Sequence, residues 1–178
     1  MVELGRASDR ELVDRYEAGC EAYDELYLSE QLEKYEAALR LLRPRGRVVD
    51  VGCGTGLLME YMAREGLLEA VDLYVCVDVS GCMLERARQR ALALCMGKCA
   101  VIQGDAYSLP FVDKAFDVGY SFSVVNLLER PEEALRELGR VSGSALATAI
   151  VKLGEPPQLP PGWARAGVAG KDAVYIMT

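Results

Sequence analysis

Residues Val48-Val49-Asp50-Val51-Gly52-Cys53-Gly54-Thr55-Gly56 set an apolar, β-branched run directly against a loop with glycine at alternate positions. β-Branched residues suit a strand. Glycines allow a tight turn and the close approach of a ligand to the backbone. The run Leu57–Glu65 that follows reads as a helix, so the unit is strand, loop, helix. The pattern then repeats. Strands are predicted at Arg47–Val51, Leu73–Asp78, Ala100–Ile102, Phe116–Phe122 and Ala145–Leu153, with helices at Leu57–Glu65, Met83–Cys95 and Pro131–Val141 between them. Such alternation gives an α/β fold, a mostly parallel sheet with helices on both faces. The continuous apolar run Leu146–Val151 fits a strand buried on both sides.

Two flanking segments read differently. Residues 8–42 are amphipathic, with Ser8 and Glu11 forming a capping box and apolar or aromatic residues at Leu12, Tyr16, Tyr23, Tyr27, Tyr35, Leu39 and Leu42. Their spacing predicts two helices with a break near Leu28-Ser29, the second ended by Arg43-Pro44-Arg45-Gly46. Beyond the proline-rich stretch 155–162, Trp163–Val168 and Asp172–Met177 read as a closing antiparallel hairpin with Gly170 at its turn. The expected organisation is one domain over 1–178: a helical cover at 8–42, a core at 47–153 and a hairpin at 162–178.

The net charge is −7, nearly all of it carried by the first forty residues, which disfavours unassisted nucleic-acid binding. The basic run Arg40, Arg43, Arg45, Arg47 suits the C-terminal end of a helix better than it suits an RNA contact. No segment is apolar for long enough to span a membrane, and the first ten residues are charged, so a cytoplasmic protein without a secretory signal is expected. A single Asn, no His and many Arg and Glu point towards a thermophilic source. The 6 Cys are either free thiols, as is usual in the cytosol, or disulfides, as in hyperthermophiles. Cys95 and Cys99 lack a second close pair and a His to complete a metal site, so no metal is expected.

The glycine loop carries the first chemical information. A dinucleotide fingerprint needs glycine at the sixth position counted from Gly52, and that position is Leu57. Asp50, at the end of the strand, would repel a pyrophosphate but can help hold a cationic amino acid group, directly or through water.

Val48 to Gly56 resembles motif I of the class I S-adenosylmethionine (SAM) dependent methyltransferases, in the flavour of the ubiquinone/menaquinone-biosynthesis-like group. That resemblance implies a Rossmann-like sheet and SAM as cofactor. It places Asp50, Gly52, Cys53, Gly54 and Gly56 around the methionine part of SAM. Val75-Cys76-Val77-Asp78-Val79-Ser80 is similar to the second strand, with Asp78 at the ribose hydroxyls, Val79 beside it as a further cofactor contact, and Met83 near the adenine. Gly104-Asp105-Ala106 is similar to the exit of the third strand, where Asp105 and Ala106 face the adenine amino group. Phe116–Leu128 resembles the fourth strand and its exit, which brings Ser121 to the cofactor and makes Ser121, Ser123 and Asn126 acceptor-side candidates. The resemblance covers about residues 47–151. Taken alone, Asp78 also suits a helix cap, Asp105 a turn and Cys53 a small packing position. Tyr23, Tyr27 and Tyr35 either pack the cover helices or lay a ring face against the sulfonium.

The implied reaction is an in-line displacement, for which positioning supplies most of the acceleration. No His stands near Asn126 to act as a base, no Asn-Pro-Pro-aromatic motif follows the fourth strand, and no Cys stands there to attack a pyrimidine. With little chain inserted between the later strands, the acceptor side is expected to be open. The acceptor would then be a macromolecule, RNA or protein, or a partner subunit would complete the pocket. A non-catalytic SAM-binding scaffold and a small-molecule methyltransferase are the alternatives.

Overall fold

The computed structural model describes residues 8–153 and 156–178. Its elements are α1 (Asp9–Gly19), α2 (Tyr23–Leu41), β1 (Gly46–Val51), α3 (Leu57–Arg64), β2 (Val71–Asp78), α4 (Gly81–Leu94), β3 (Cys99–Gln103), β4 (Phe116–Ser121), α5 (Pro131–Val141), β5 (Ser142–Ile150), β6 (Trp163–Ala169) and β7 (Asp172–Met177). The strands form one seven-stranded sheet in the order β3-β2-β1-β4-β5-β7-β6. Strands β1 to β5 run parallel, and β7 joins β5 antiparallel, followed by β6. This is the Rossmann-like α/β sheet with a closing hairpin that the alternating pattern and the resemblance imply.

The two-residue period of the strands explains the two cores. On one face Val48, Tyr74, Val118, Tyr120 and Leu146 pack against Tyr35 and Leu39 of α2, Leu58 and Met62 of α3, and Leu84 of α4. On the other, Val49, Val51, Val75, Val77, Ala145 and Ala147 meet Leu135, Leu138 and Val141 of α5, with Trp163 and Tyr175 from the hairpin. Burial on both faces is why these strands read as continuous apolar runs.

Two local expectations are corrected. The break between the cover helices falls at Cys20–Ala22, not near Leu28-Ser29, which lies inside α2. Gly19 weakens the helix there. The Arg86 guanidinium then takes the carbonyls of Cys20 and Glu21, groups a helix end leaves unpaired. Strand β5 also stops early, at Ile150, and a 3-10 turn covers Val151–Leu153. The capping box holds, with the Ser8 backbone N–H donating to Glu11 Oε2 at 2.8 Å.

All six cysteines are paired: Cys20 with Cys82, Cys53 with Cys76, and Cys95 with Cys99. The first pair ties the α1–α2 junction to the start of α4. The second lies beneath the glycine loop, joining it to β2.

Candidate active site

In the order β3-β2-β1-β4-β5, the connections leave β1 in one direction and β4 in the other. Loops at such a switch point diverge and leave a crevice at the carboxyl ends of the strands. A cavity of about 670 Å³ opens there. Its floor is Val51, Gly52 and Gly54 after β1, Asp78 and Val79 after β2, Gly104 to Tyr107 after β3, and Phe122 to Val124 after β4. Its roof is α1 and α2.

The glycine loop has the shape that the sequence demanded. Gly52 sits at φ +75°, and a Cβ there would lie 2.4 Å from Val124 Cγ2, so no other residue fits unshifted. Gly54, at φ +54°, directs its N–H to Asp78 Oδ2 at 2.9 Å. The other Asp78 oxygen accepts from the Ser80 N–H at 2.9 Å. Burial pushes the Asp78 carboxyl above its ordinary range, against these backbone donors. Asp78 is thereby locked in orientation at the cavity floor. Ser80 separately caps α4 by accepting from the Met83 N–H, so the cap that the sequence also allowed for Asp78 falls to its neighbour.

Three latches hold the roof. Asp9 of α1 accepts from the Tyr107 hydroxyl at 2.9 Å and from the Glu129 N–H at 3.0 Å, and Arg130 lies 4.1 Å over the Tyr107 ring. Glu17 of α1 accepts from the Ser80 hydroxyl and the Cys82 N–H at the start of α4, beside the Cys20–Cys82 bridge. Asp24 of α2 is held by Arg90 and by the Thr55 hydroxyl, each at 2.6 Å. Between the latches a ladder of rings faces the cavity: Tyr16 and Tyr23 with centroids 6.1 Å apart, and Tyr23 and Tyr27 at 5.0 Å. Burial drives the Tyr23 hydroxyl well above its ordinary value, so it stays neutral. The acceptor side, expected to be open, is thus walled by the chain's own residues 8–41.

The residues named from sequence divide into two groups. Gly52, Gly54, Asp78, Val79, Met83, Asp105, Ala106, Tyr27 and Ser123 line the cavity. Asp50, Cys53, Gly56, Tyr35, Ser121 and Asn126 do not. Asp50 is buried beneath the loop, where its carboxylate accepts from the Tyr74 hydroxyl at 2.6 Å; burial raises it to about 7. Cys53 is bonded to Cys76. Tyr35 sits in the core, edge-on to Phe122 at 4.9 Å. Ser121 is buried at the end of β4. Both ends of the Asn126 amide are taken by the backbone of Ile150, at 2.9 and 3.1 Å, so this side chain fastens the β4 exit to β5. Asp105 accepts from the Tyr107 N–H at 2.9 Å, the turn geometry its sequence context also suited.

Sequence reasoning missed a polar cluster at the β4–β5 end of the cavity. Lys34 of α2 has a fully buried side chain, donates to Ser123 Oγ and lies 3.0 Å from Asp172 Oδ2. Ser123 Oγ donates to the same Asp172 oxygen at 2.8 Å, as does Thr148 Oγ1 at 2.8 Å. Gln31 stands one turn before Lys34, and its amide donates to Tyr23 at 3.4 Å. A lysine on an amphipathic helix normally reads as a solvated charge. The only available signal was its place on the apolar stripe beside Tyr35.

Comparison with known proteins agrees with this geometry. A methyltransferase domain family matches residues 49–144. The chain is 32% identical over 170 residues to a malonyl-[acyl-carrier protein] O-methyltransferase of Halorhodospira halophila, covering 89% of this chain and 54% of that protein. It is 41% identical over 102 residues to the ubiquinone/menaquinone biosynthesis C-methyltransferase UbiE of Ruegeria sp., covering 56% of this chain and 39% of that protein. Among solved structures, a SAM-dependent methyltransferase from Aquifex aeolicus superposes with a TM-score of 0.69 at 19% identity, over 90% of this chain and 96% of the other. The chain belongs to the methyltransferase domain family, whose cofactor is SAM. It spans about half or less of the length of these two curated relatives. Among the described residues no helix is long and apolar enough to cross a membrane.

Proposed function

We propose that the chain transfers a methyl group from SAM to a small organic acceptor, and that both bind in the one roofed cavity. The observation that carries this reading is the cavity's extent. It runs from Asp78 and Asp105 at the β2–β3 side to Ser123 and Ile150 at the β4–β5 side, beneath α1 and α2. The residues present fit SAM. A carboxylate held by two backbone N–H groups suits a vicinal diol, so Asp78 takes the ribose. Met83 and Val79 give the adenine apolar contact, and Asp105 with Ala106 faces its edge. Gly52 and Gly54 let the backbone approach the amino acid part. The rings of Tyr16, Tyr23 and Tyr27 offer π-faces to a sulfonium. Asp50 acts from beneath the loop rather than by contact.

When bound, SAM supplies a methyl group already activated by positive sulfur. The protein's share is to orient, to exclude water and to manage the acceptor's proton. Residues 8–42 serve as the cover, 47–153 as the core and 162–178 as the closing hairpin of one working unit. The relatives' names, a ubiquinone/menaquinone biosynthesis C-methyltransferase and a malonyl-[acyl-carrier protein] O-methyltransferase, support a small or carrier-linked organic acceptor over RNA. The net charge of −7 supports the same choice. The test is incubation of the protein with methyl-labelled SAM and a panel of phenols, enols and carboxylic acids. Label appearing in a small product supports the reading. Label appearing only in RNA, or in protein as methylated side chains rather than on a carried acyl group, contradicts it.

A further inference from the structure

We propose that Ser123, Asp172 and Lys34 form a proton relay that ionises a hydroxylic acceptor, a phenol or an enol, for methyl transfer. This rests on the reading of the cavity as a methyltransferase site and adds to it the base and the acceptor class. The chain contains no histidine, so a base must come from elsewhere. Ser123 lines the cavity just beyond β4, on the opposite side of β1 from Asp78. It is one of three non-glycine residues at positive φ among the described residues, at +58°. Such backbone is held in place by its surroundings and gathers at functional sites. Here the Ser123 N–H is fixed by Thr148 Oγ1 at 2.9 Å.

The hydrogen-bond directions settle what the hydroxyl can do. Ser123 donates its proton to Asp172 Oδ2 at 2.8 Å and accepts one from Lys34. Towards the cavity it is left with an acceptor lone pair, which suits an incoming O–H. Asp172 is fully buried. Its Oδ2 takes Ser123, Thr148 and Lys34, while its Oδ1 has no partner among the described residues. A buried carboxylate oxygen without a donor is costly and rare. Asp172 Oδ2 receives the Ser123 hydroxyl directly, so the carboxylate is placed to take that proton.

The step balances. The acceptor O–H bond breaks, and its proton passes to Ser123 Oγ as the Ser123 proton passes to Asp172 Oδ2. The acceptor oxygen keeps the electron pair, and the Lys34 ammonium, released from a full ion pair with Asp172, becomes the counter-ion of the phenolate or enolate. That oxygen then forms the new bond to the methyl carbon, and the electron pair of the broken C–S bond leaves with sulfur. Ser123 is the catalytic residue of the relay; Asp172 and Lys34 act through it.

The test uses the Ser123→Ala variant, which removes the hydroxyl and leaves the buried pair intact, with Ser123→Gly as a second variant free of the backbone strain. Para-nitrophenol is titrated with each protein in the absence of SAM, and its phenolate absorbance is followed against pH. The wild type should ionise the bound phenol at lower pH than either variant does. With SAM present, both variants should lose about 10²–10⁴-fold in kcat on para-methoxyphenol, the usual yield of general base catalysis. On para-nitrophenol, which is largely ionised already, the loss should be only a few fold. Equal losses on both phenols, no loss on either, or an unshifted phenol titration would overturn the relay. Absence of phenol turnover by a wild-type protein that binds SAM would overturn the acceptor class. Failure of the wild type to bind SAM would instead remove the proposed function itself.

Discussion

At the scale of single residues, Gly52 and Asp50 make opposite demands on the same loop. Gly52 has no room for a side chain and a backbone angle that penalises one. Gly52→Ala should cost about 2–4 kcal/mol in denaturant unfolding, the sum of left-handed strain and overpacking against Val124. In a Val124→Ala background only the strain, about 1–2 kcal/mol, should remain. Asp50 is a buried acid raised to about 7 from 3.8, chiefly by burial, with the Asp78 charge adding to the rise and the Tyr74 hydroxyl opposing it. Its protonated form suits the folded state better than its ionised form does. The stability it contributes is therefore whole below about 3.8 and is lost as pH rises through about 7. Asp50→Asn keeps an acceptor for Tyr74 and cannot ionise, so above neutral pH it should exceed the wild type in stability by about 2–4 kcal/mol. Unfolding midpoints of both proteins across pH check this; parallel curves would show that Asp50 does not titrate in that window.

At the scale of elements, the cover is fastened by side chains and not by an apolar interface alone. The Cys20–Cys82 bridge closes a span of 62 residues and joins the roof to the start of α4. Replacing both cysteines with serine should lower stability by about 2–4 kcal/mol relative to the oxidised protein. SAM affinity should fall with it, because Glu17 and Asp9 would then hold α1 alone. Equal stability of the variant and the oxidised wild type would mean that the bridge carries no load. Most of these elements were legible in the sequence, because strands buried on both faces leave continuous apolar runs and α5 begins at a proline. The helix break was not. It depends on Arg86, far along the chain, capping the carbonyls of Cys20 and Glu21. The disulfides were likewise open, since pairing requires the Cα atoms to meet and spacing alone says nothing of that.

For the whole molecule, the sheet order places the cavity and the loops fill it. The glycine loop and Asp78, Asp105 and Met83 were readable because they follow strands in a fixed order. Ser123 was readable for the same reason. Lys34 and Asp172 were not, because one comes from the cover helix and the other from the last strand, and only the fold brings them to Ser123. Asn126 and Ser121 carried the right position along the chain but face inward. If the cavity is a SAM site, Asp78 orients the cofactor in it. Calorimetric titration of SAM into the wild type and into Asp78→Ala tests that most directly. One saturable site is predicted in the wild type, weakened by about 1–3 kcal/mol in the variant through loss of charged hydrogen bonds to the ribose. Equal affinity in the two proteins, or no binding heat at millimolar SAM, would contradict it.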